Sequence, residues 1–167
     1  MIRRELLEKE YRRLFSENKY GTTIWSPLQG GILTGKYNDG SIPEGSRYDK
    51  HGDFLKDTWN KYFGPTKKEQ TLVMLNKLNE IAKEAGYTQA QLALAWCMAN
   101  KDVSTVLLGF TRLEQIDENL KALELYKKWN DDIEKKVEEV LNNAPEPDLD
   151  WRKWTPLESR RKEAMRK

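Results

Sequence analysis

The sequence contains very little of the residues that build disulfides and metal centres. Its 167 residues include one cysteine, Cys97, and one histidine, His51. One cysteine excludes a disulfide within the chain, which fits a reducing, cytoplasmic location. Because Cys97 lies in an apolar helical stretch, a buried structural thiol is favoured over a reactive one. His51 has no cysteine or second histidine near it in the sequence, so we expect no metal site.

The chain also lacks long apolar runs and a clear excess of either charge. No stretch approaches the roughly 18 apolar residues of a transmembrane helix, and no signal peptide opens the chain, so we expect no direct membrane insertion. Lys and Arg number 29 against 27 Asp and Glu, and this balance argues against a nucleic-acid partner. With 38% hydrophobic and 34% charged residues, apolar material is scarce for a large independent core. We therefore expect the chain to rely on a protein partner.

The most informative stretch covers residues 21–31 and has the sequence GTTIWSPLQGG. Residues 22–25 favour a strand, so we predict a short buried strand that ends in an open loop. Pro27 cannot donate to a sheet ladder, and Gly30 and Gly31 let the main chain approach a bulky polar group. A ligand-binding loop and a plain strand-to-turn transition both explain the stretch.

Hydrophobic periodicity predicts that most of the chain is helical. The predicted helices cover residues 2–15, 66–86, 88–99, 111–125 and 130–141. Capping boxes, in which a Thr and a Glu or Gln three residues later satisfy free amides, are predicted at 66–69, 88–91 and 111–114. A second strand is predicted over 104–108. Residues 26–65 contain repeated glycines that break any period, so we predict a long loop there and interpret it as a lid.

The second predicted strand leads through Gly109 and Phe110 into the capping box at 111–114. The amides at such a helix start, together with the positive end of the helix dipole, could hold a phosphate. A plain strand-to-helix turn explains the same residues equally well.

Two groups of motifs resemble one protein family. The first group is Trp25-Ser26-Pro27-Leu28, Gly31, Gly35-Lys36-Tyr37, Ile42-Pro43-Glu44 and Ser46-Arg47; the second is Gln91–Cys97, Val103–Gly109, Glu114-Gln115 and Glu118-Asn119. The first group resembles the seventh-strand region of the aldo-keto reductases. Within that family the chain is most similar to the β subunits of voltage-gated potassium channels, and the resemblance covers roughly residues 1 to 143.

The resemblance implies an α/β fold that is the C-terminal portion of a TIM-type (β/α)8 barrel. This portion would be mostly helical, with the last two parallel strands of the barrel, so that the barrel is incomplete in this chain. Residues 1–143 would form the partial barrel with the cofactor-binding half of the site. Residues 144–167 would form a separate tail rich in proline, tryptophan and basic residues.

The resemblance further implies that the cofactor is NADPH, with Trp25 stacked on its nicotinamide ring. The other matching cofactor-binding positions are Ser26, Pro27, Leu28 and Gly31 in the loop near the pyrophosphate, Lys36 and Arg47 near the phosphates, and Gly109, Thr111, Gln115, Glu118 and Asn119 at the adenosine end. An aromatic face suits a flat ring, and cations suit phosphate oxygens. Gln29 and Phe110 are bulkier than the residues usual in the family, which predicts weakened NADPH binding.

The family's reaction is hydride transfer from NADPH to a carbonyl, with a Tyr, a Lys, an Asp and usually a His on the first four strands. No tyrosine of this chain has that relation to Lys and Asp, so the resemblance implies no catalytic residue here and an inactive chain on its own. Two hypotheses stay open. The chain is the NADPH-binding part of a reductase completed by further strands, or it is a non-catalytic barrel fragment that serves as a structural or interaction subunit.

A remnant with two strands cannot close a barrel, and its open edges invite association. We therefore expect a protein that completes the barrel or a larger assembly, with a second copy or a channel-type protein among the candidate partners. Trp151 and Trp154, followed by the basic end at 160–167, could attach the tail to a partner surface. Folding of the tail onto its own domain is the alternative.

Overall fold

The computed structural model describes residues 1–146, so the tail with Trp151 and Trp154 lies outside the described residues. The described part is mostly helical, with one two-stranded sheet. Its elements in chain order are a π-helical segment Leu6–Glu10, α1 Arg12–Asn18, β1 Thr22–Ile24, a 3-10 segment Gln29–Thr34, α2 Arg47–Lys50, α3 Gly52–Phe63, α4 Lys68–Glu84, α5 Gln89–Ala99, β2 Val103–Val106, α6 Glu114–Leu120, α7 Ala122–Lys127 and α8 Asp131–Leu141.

The two strands pair in parallel, which confirms the prediction of two parallel strands. Thr22 lies opposite Val103 and Ile24 opposite Val106, with an irregularity in register after Thr22. A Cβ atom at Gly21 would overlap Ser104 Oγ, so glycine is needed for β1 to approach β2. Within residues 1–146 both outer edges of the pair are open, as expected for part of a barrel.

The prediction of a buried first strand is wrong. Thr23 is exposed, and Trp25, which follows the last residue of β1, is 76% exposed. Strand β2 begins at Val103 and ends at Val106, so it starts one residue earlier and stops two residues earlier than predicted. The exposure follows from the width of the sheet, because the described residues place no further strand beside either edge.

Helix α5 forms the centre of the core. Its residues from Gln89 to Cys97 are all buried, including the polar Gln91. The predicted capping box is confirmed: the Gln91 amide donates to Thr88 Oγ1 over 3.3 Å, and the Thr88 amide donates to Gln91 Oε1 over 2.9 Å. Burial raises the pKa of the Cys97 thiol, which supports its interpretation as a buried structural thiol.

Two other predicted capping boxes are wrong. Helix α4 begins at Lys68 without a side-chain cap, and α6 begins at Glu114 without one. The predicted helix over 111–125 is also divided, because α6 ends before Lys121 and α7 begins after it. The predicted end of α4 is confirmed, since Gly86 takes a φ of 81° and the Tyr87 amide donates to the Ala82 carbonyl over 2.9 Å.

The N-terminal helix differs from its predicted bounds of 2–15. A π-helical segment and then α1 run from Leu6 to Asn18, and Lys19 ends α1 with a left-handed φ of 57°. Arg4, which precedes this helix, makes an ion pair of 2.6 Å with Glu138 of α8. The Trp96 indole donates to the other carboxylate oxygen of Glu138 over 3.2 Å. Glu138 therefore ties the N-terminal segment and α5 to α8.

The prediction of a loop over residues 26–65 is wrong for most of that segment. It contains the 3-10 segment, α2 and the twelve-residue α3. Trp59 of α3 stacks on Phe63 with ring centroids 4.1 Å apart, and both rings join the core. Because the segment is packed into the core, the structure does not support a lid.

Candidate functional site at the ends of the parallel strands

The carboxyl ends of β1 and β2 meet at one edge of the sheet. The Leu107 amide donates to the Ile24 carbonyl over 2.8 Å, so the chain leaves both strands side by side. One loop begins at Trp25 and the other at Leu107. The corresponding edge of a parallel sheet is where α/β proteins commonly bind ligands. The predicted site residues that follow β1 and those that follow β2 therefore begin at the same edge of the sheet.

The loop after β1 contains a run of left-handed residues. Ser26 has a φ of 53° and Gln29 a φ of 48°, and Gly30 and Gly31 follow with 66° and 102°. The Gly31 amide donates to the Leu28 carbonyl over 2.9 Å, which closes the turn. Left-handed conformations at non-glycine residues are held only where the surrounding structure imposes them, and they are frequent at binding sites. Below, the segment Ser26–Gly31 is called the glycine turn.

A cleft of about 860 Å³ lies beside β1 and the start of the glycine turn. Its volume falls in the range typical of small-molecule sites. Trp25, Ser26 and Pro27 line it, together with Gln29 and residues of the N-terminal segment. Residues 143–146 also line it. Of the predicted site residues, the structure thus brings Trp25, Ser26 and Pro27 to one cleft, with the Trp25 ring exposed.

Lys36 and Arg47 do not line this cleft, but Lys36 lies near the glycine turn. A Cβ atom at Gly31 would be 3.1 Å from Lys36 Nζ, so the lysine lies directly against the turn. Arg47 is the first residue of α2, next to Tyr48, whose hydroxyl lies against Gly30. Within residues 1–146 neither cation has a carboxylate within ion-pair distance. Both charges are therefore available for an anion.

The loop after β2 carries the residues predicted for the adenosine end. Gly109 has open space around it, since a Cβ atom there would meet nothing within 4 Å. Gln115 Oε1 accepts from the Thr111 amide over 2.9 Å and from the Thr111 hydroxyl over 3.3 Å. The Glu118 side chain is exposed and Asn119 is half-buried. None of these residues lines the cleft beside β1.

The start of α6 is a poor place for the phosphate that the sequence suggested. The helix has seven residues, and its first turn carries the carboxylates of Glu114 and Asp117. Negative charge there repels a phosphate, and the Thr111 amide is already used by Gln115. The geometry therefore gives the phosphate hypothesis at this helix no support, whereas the Lys36 ammonium against the glycine turn suits an anion.

Sequence reasoning missed an aromatic platform beneath the glycine turn. A Cβ atom at Gly30 would be 3.2 Å from the Tyr48 hydroxyl, and one at Gly31 would be 3.5 Å from Tyr37 Cε2. Trp59 packs against both tyrosine rings, with centroids 5.5 Å from Tyr37 and 5.1 Å from Tyr48. The helical spacing of the aromatic residues in α3 was the available signal. It was obscured because glycines border that helix.

Other features of the described residues add little to the site. No helix within residues 1–146 is long and apolar enough to cross a membrane. The same part of the chain contains no group of three His, Cys, Asp or Glu side chains placed to hold a metal ion. An open groove of about 560 Å³ lies against α4 near Leu72 and Val73, and no predicted site residue lines it.

Comparison with known proteins agrees with the motifs. The sequence model of the Aldo/keto reductase family matches residues 1–140. A protein of Schizosaccharomyces pombe, provisionally named a voltage-gated potassium channel subunit beta, is 44% identical over 144 residues. Proteins of Arabidopsis thaliana and Oryza sativa with corresponding provisional names are each 38% identical over 145 residues.

These matches cover most of this chain and less than half of each relative. They include 86% of the chain and 40% of the Schizosaccharomyces pombe protein, and 87% of the chain and 42% of each plant protein. The family match at residues 1–140 includes both loops at the ends of the strands. On the strength of the family match and of these relatives, the chain belongs to the aldo/keto reductase family.

Proposed function

We propose that this chain is the NADPH-binding part of an aldo-keto reductase of the potassium channel β-subunit type, and that it has no reductase activity by itself. The observation that carries the proposal is the glycine turn at the carboxyl end of β1. An exposed indole, Trp25, directly precedes the turn, and Lys36, which has no carboxylate partner within the described residues, lies against it. This combination suits a ligand that has both a flat ring and phosphates.

The side chains in place fit such a cofactor. The Trp25 face would lie against the nicotinamide ring, and Ser26, Pro27, Leu28 and Gly31 would form the wall near the pyrophosphate. Lys36 and Arg47 would balance the phosphate charge. Open space at Gly109, together with Thr111, Gln115, Glu118 and Asn119, would take the adenosine end. Bound NADPH would supply a hydride, and the residues of this chain would hold and orient it.

Completion of the barrel is the second part of the proposal. Large apolar side chains are exposed on the elements before β1 and after β2. Those before β1 are Leu6, Tyr11, Leu14 and Tyr20, and those after β2 are Leu107, Phe110, Leu113, Leu120, Leu123 and Tyr126. With both strand edges open, these surfaces suit further strands and helices on each side of the pair. Either the same polypeptide or a second chain would supply them.

The same surfaces favour one alternative function. A barrel fragment without NADPH could serve as a structural or interaction subunit, because its exposed apolar residues can bind another protein. The provisional names of the relatives refer to a voltage-gated potassium channel, so a channel-type protein or a second copy of the chain would be the partner to examine. Under both hypotheses we propose a cytoplasmic location.

Titration with NADPH separates the two functions. Energy transfer from tryptophan to the bound nicotinamide gives the affinity, and far-ultraviolet circular dichroism monitors the fold. We expect Trp25→Ala to abolish measurable binding, since it removes the ring that faces the nicotinamide. The matched control is Trp129→Phe, because the Trp129 indole donates to Glu134 and lies on another part of the surface. Absence of NADPH binding by the unchanged protein would leave the structural alternative.

A further inference from the structure

Three buried tyrosine hydroxyls have no hydrogen-bond partner among the described residues. They belong to Tyr37, Tyr48 and Tyr62. A buried hydroxyl without a partner is destabilising, and each such group in a native structure calls for an explanation. Of the three, the structure places the Tyr48 hydroxyl against a glycine of the turn, Gly30.

The position of Tyr48 is fixed from several sides. It is 2% exposed, and its ring packs edge-on against Tyr37 and at a tilt against Trp59, with centroids 5.3 Å and 5.1 Å away. The hydroxyl lies 3.2 Å from the place that a Cβ atom of Gly30 would occupy. Burial raises the pKa of Tyr48 to about 12, so the hydroxyl keeps its proton and is a donor at neutral pH.

The glycine next to this hydroxyl, Gly30, belongs to a part of the glycine turn whose backbone can change orientation. Gly30 and Gly31 are adjacent, so the peptide between them can rotate with little steric cost. In the conformation described here the Gly31 amide donates to the Leu28 carbonyl over 2.9 Å. A peptide is planar and its carbonyl and amide point in opposite directions. Rotation that turns the Gly30 carbonyl toward Tyr48 therefore turns the Gly31 amide away from Tyr48, toward the outside of the turn.

We propose that Tyr48 is a positioning residue for the nucleotide: its hydroxyl donates to the Gly30 carbonyl after rotation of the Gly30–Gly31 peptide, and the Gly31 amide then donates to a pyrophosphate oxygen. The rotation breaks the Gly31–Leu28 hydrogen bond and forms two others. It also gives the buried hydroxyl an acceptor. This inference rests on the proposed function, and it concerns any dinucleotide whose pyrophosphate lies on the turn.

The test compares Tyr48→Phe with Tyr62→Phe in the full chain, each removing one buried hydroxyl. Tyr62 is a matched control, because its hydroxyl is also buried without a partner among residues 1–146 and it is not among the nearest neighbours of Gly30 or Gly31. We expect both variants to melt at or above the temperature of the unchanged chain, since a costly hydroxyl is lost. Only Tyr48→Phe should lower NADPH affinity, by about tenfold.

The NMR chemical shifts of the Gly31 amide nitrogen and proton provide a second measurement. NADPH should move the Gly31 amide signal strongly in the unchanged chain and in Tyr62→Phe, and much less in Tyr48→Phe. Equal NADPH affinities for all three proteins would overturn the role of Tyr48 while the proposed function stands. If the unchanged chain binds no NADPH, the proposed function fails and this inference fails with it.

Discussion

Gly31 lies in the middle of the candidate site, and its replacement by alanine tests whether the glycine turn and Lys36 act as one binding unit. Gly31 has a φ of 102°, which lies beyond the left-handed region that alanine can occupy. The strained backbone costs about 1–3 kcal/mol. An added Cβ would also be 3.0 Å from Lys36 Cε and 3.1 Å from Lys36 Nζ, closer than side chains normally pack. The end of the Lys36 side chain therefore has to shift by a few tenths of an ångström.

Gly86 provides the matched control. It takes a φ of 81° at the end of α4, and a Cβ atom there would meet nothing within 4 Å. Gly86→Ala therefore adds backbone strain alone, and we expect a loss of about 1 kcal/mol in unfolding free energy with NADPH affinity unchanged. For Gly31→Ala we expect a loss of about 2–3 kcal/mol in unfolding free energy and about tenfold weaker NADPH binding, since the turn is strained and the Lys36 ammonium is shifted from its place against it.

Urea unfolding followed by tryptophan fluorescence measures the unfolding free energy, and titration with NADPH measures the binding affinity. Both variants should fold, because each strains a single residue. If Gly31→Ala and Gly86→Ala lose the same unfolding free energy and both bind NADPH as the unchanged chain does, the assignment of Lys36 and the turn to one site is refuted.

Three further predictions concern the scaffold around the site. Thr88→Ala should lower the unfolding free energy by about 1 kcal/mol, because it removes the side-chain cap of α5. Thr66→Ala should have no measurable effect in the same urea titration, because α4 begins without a side-chain cap. Glu138→Ala should lower the unfolding free energy by about 2 kcal/mol, because Arg4 and the Trp96 indole lose their shared acceptor. An unchanged midpoint of urea unfolding would contradict the role of Glu138 in joining the N-terminal segment and α5 to α8. Alkaline unfolding should depend on Tyr48, whose pKa is raised by burial from 10.0 to about 12. The folded state holds this proton more tightly than the unfolded state, so stability is complete below pH 10.0 and falls as the pH rises toward about 12. In Tyr48→Phe the loss of stability over this pH range should be smaller. Equal alkaline unfolding curves for the variant and the unchanged chain, followed by circular dichroism, would contradict this prediction.

The features that the sequence predicted correctly depend on neighbouring residues. Thr88 and Gln91 cap α5 in the expected way, and Asn130, the first residue of the helix predicted over 130–141, precedes α8 and accepts from the Ile133 amide over 3.0 Å. Gly86 ends α4 as its position suggested. In each case the donor and acceptor lie within a few residues of each other. Such signals survive because no distant group competes for them.

Competing partners, some nearby and some distant in the chain, explain the failed predictions. The Thr111 hydroxyl was expected to cap a helix, but it donates to Gln115 instead. The Thr71 hydroxyl, near the start of α4, donates to the Tyr62 carbonyl of α3 over 2.6 Å. Helix α3 was missed because Gly52 and Gly64 suggested a loop. Its Trp59 packs against Tyr37 and Tyr48, which precede the helix in the chain.

The candidate site could be predicted in part. The family motifs identify Trp25, Ser26 and Pro27, and the structure places them in one cleft. The strain at Gln29 and the platform under Gly30 could not be read from the sequence, because both depend on packing between α2, α3 and the turn. Binding of NADPH stays a prediction for all the site residues.

Native mass spectrometry of the protein isolated from its source tests the central claim most directly. The chain has a mass of 19.6 kDa. We expect a larger particle, formed by a longer polypeptide or by a second chain, that contains one NADPH for each copy of this sequence and releases it on denaturation. A particle of any size without a bound nucleotide, whose mass does not change when NADPH is added, would contradict the claim that this chain is a cofactor-binding half-site.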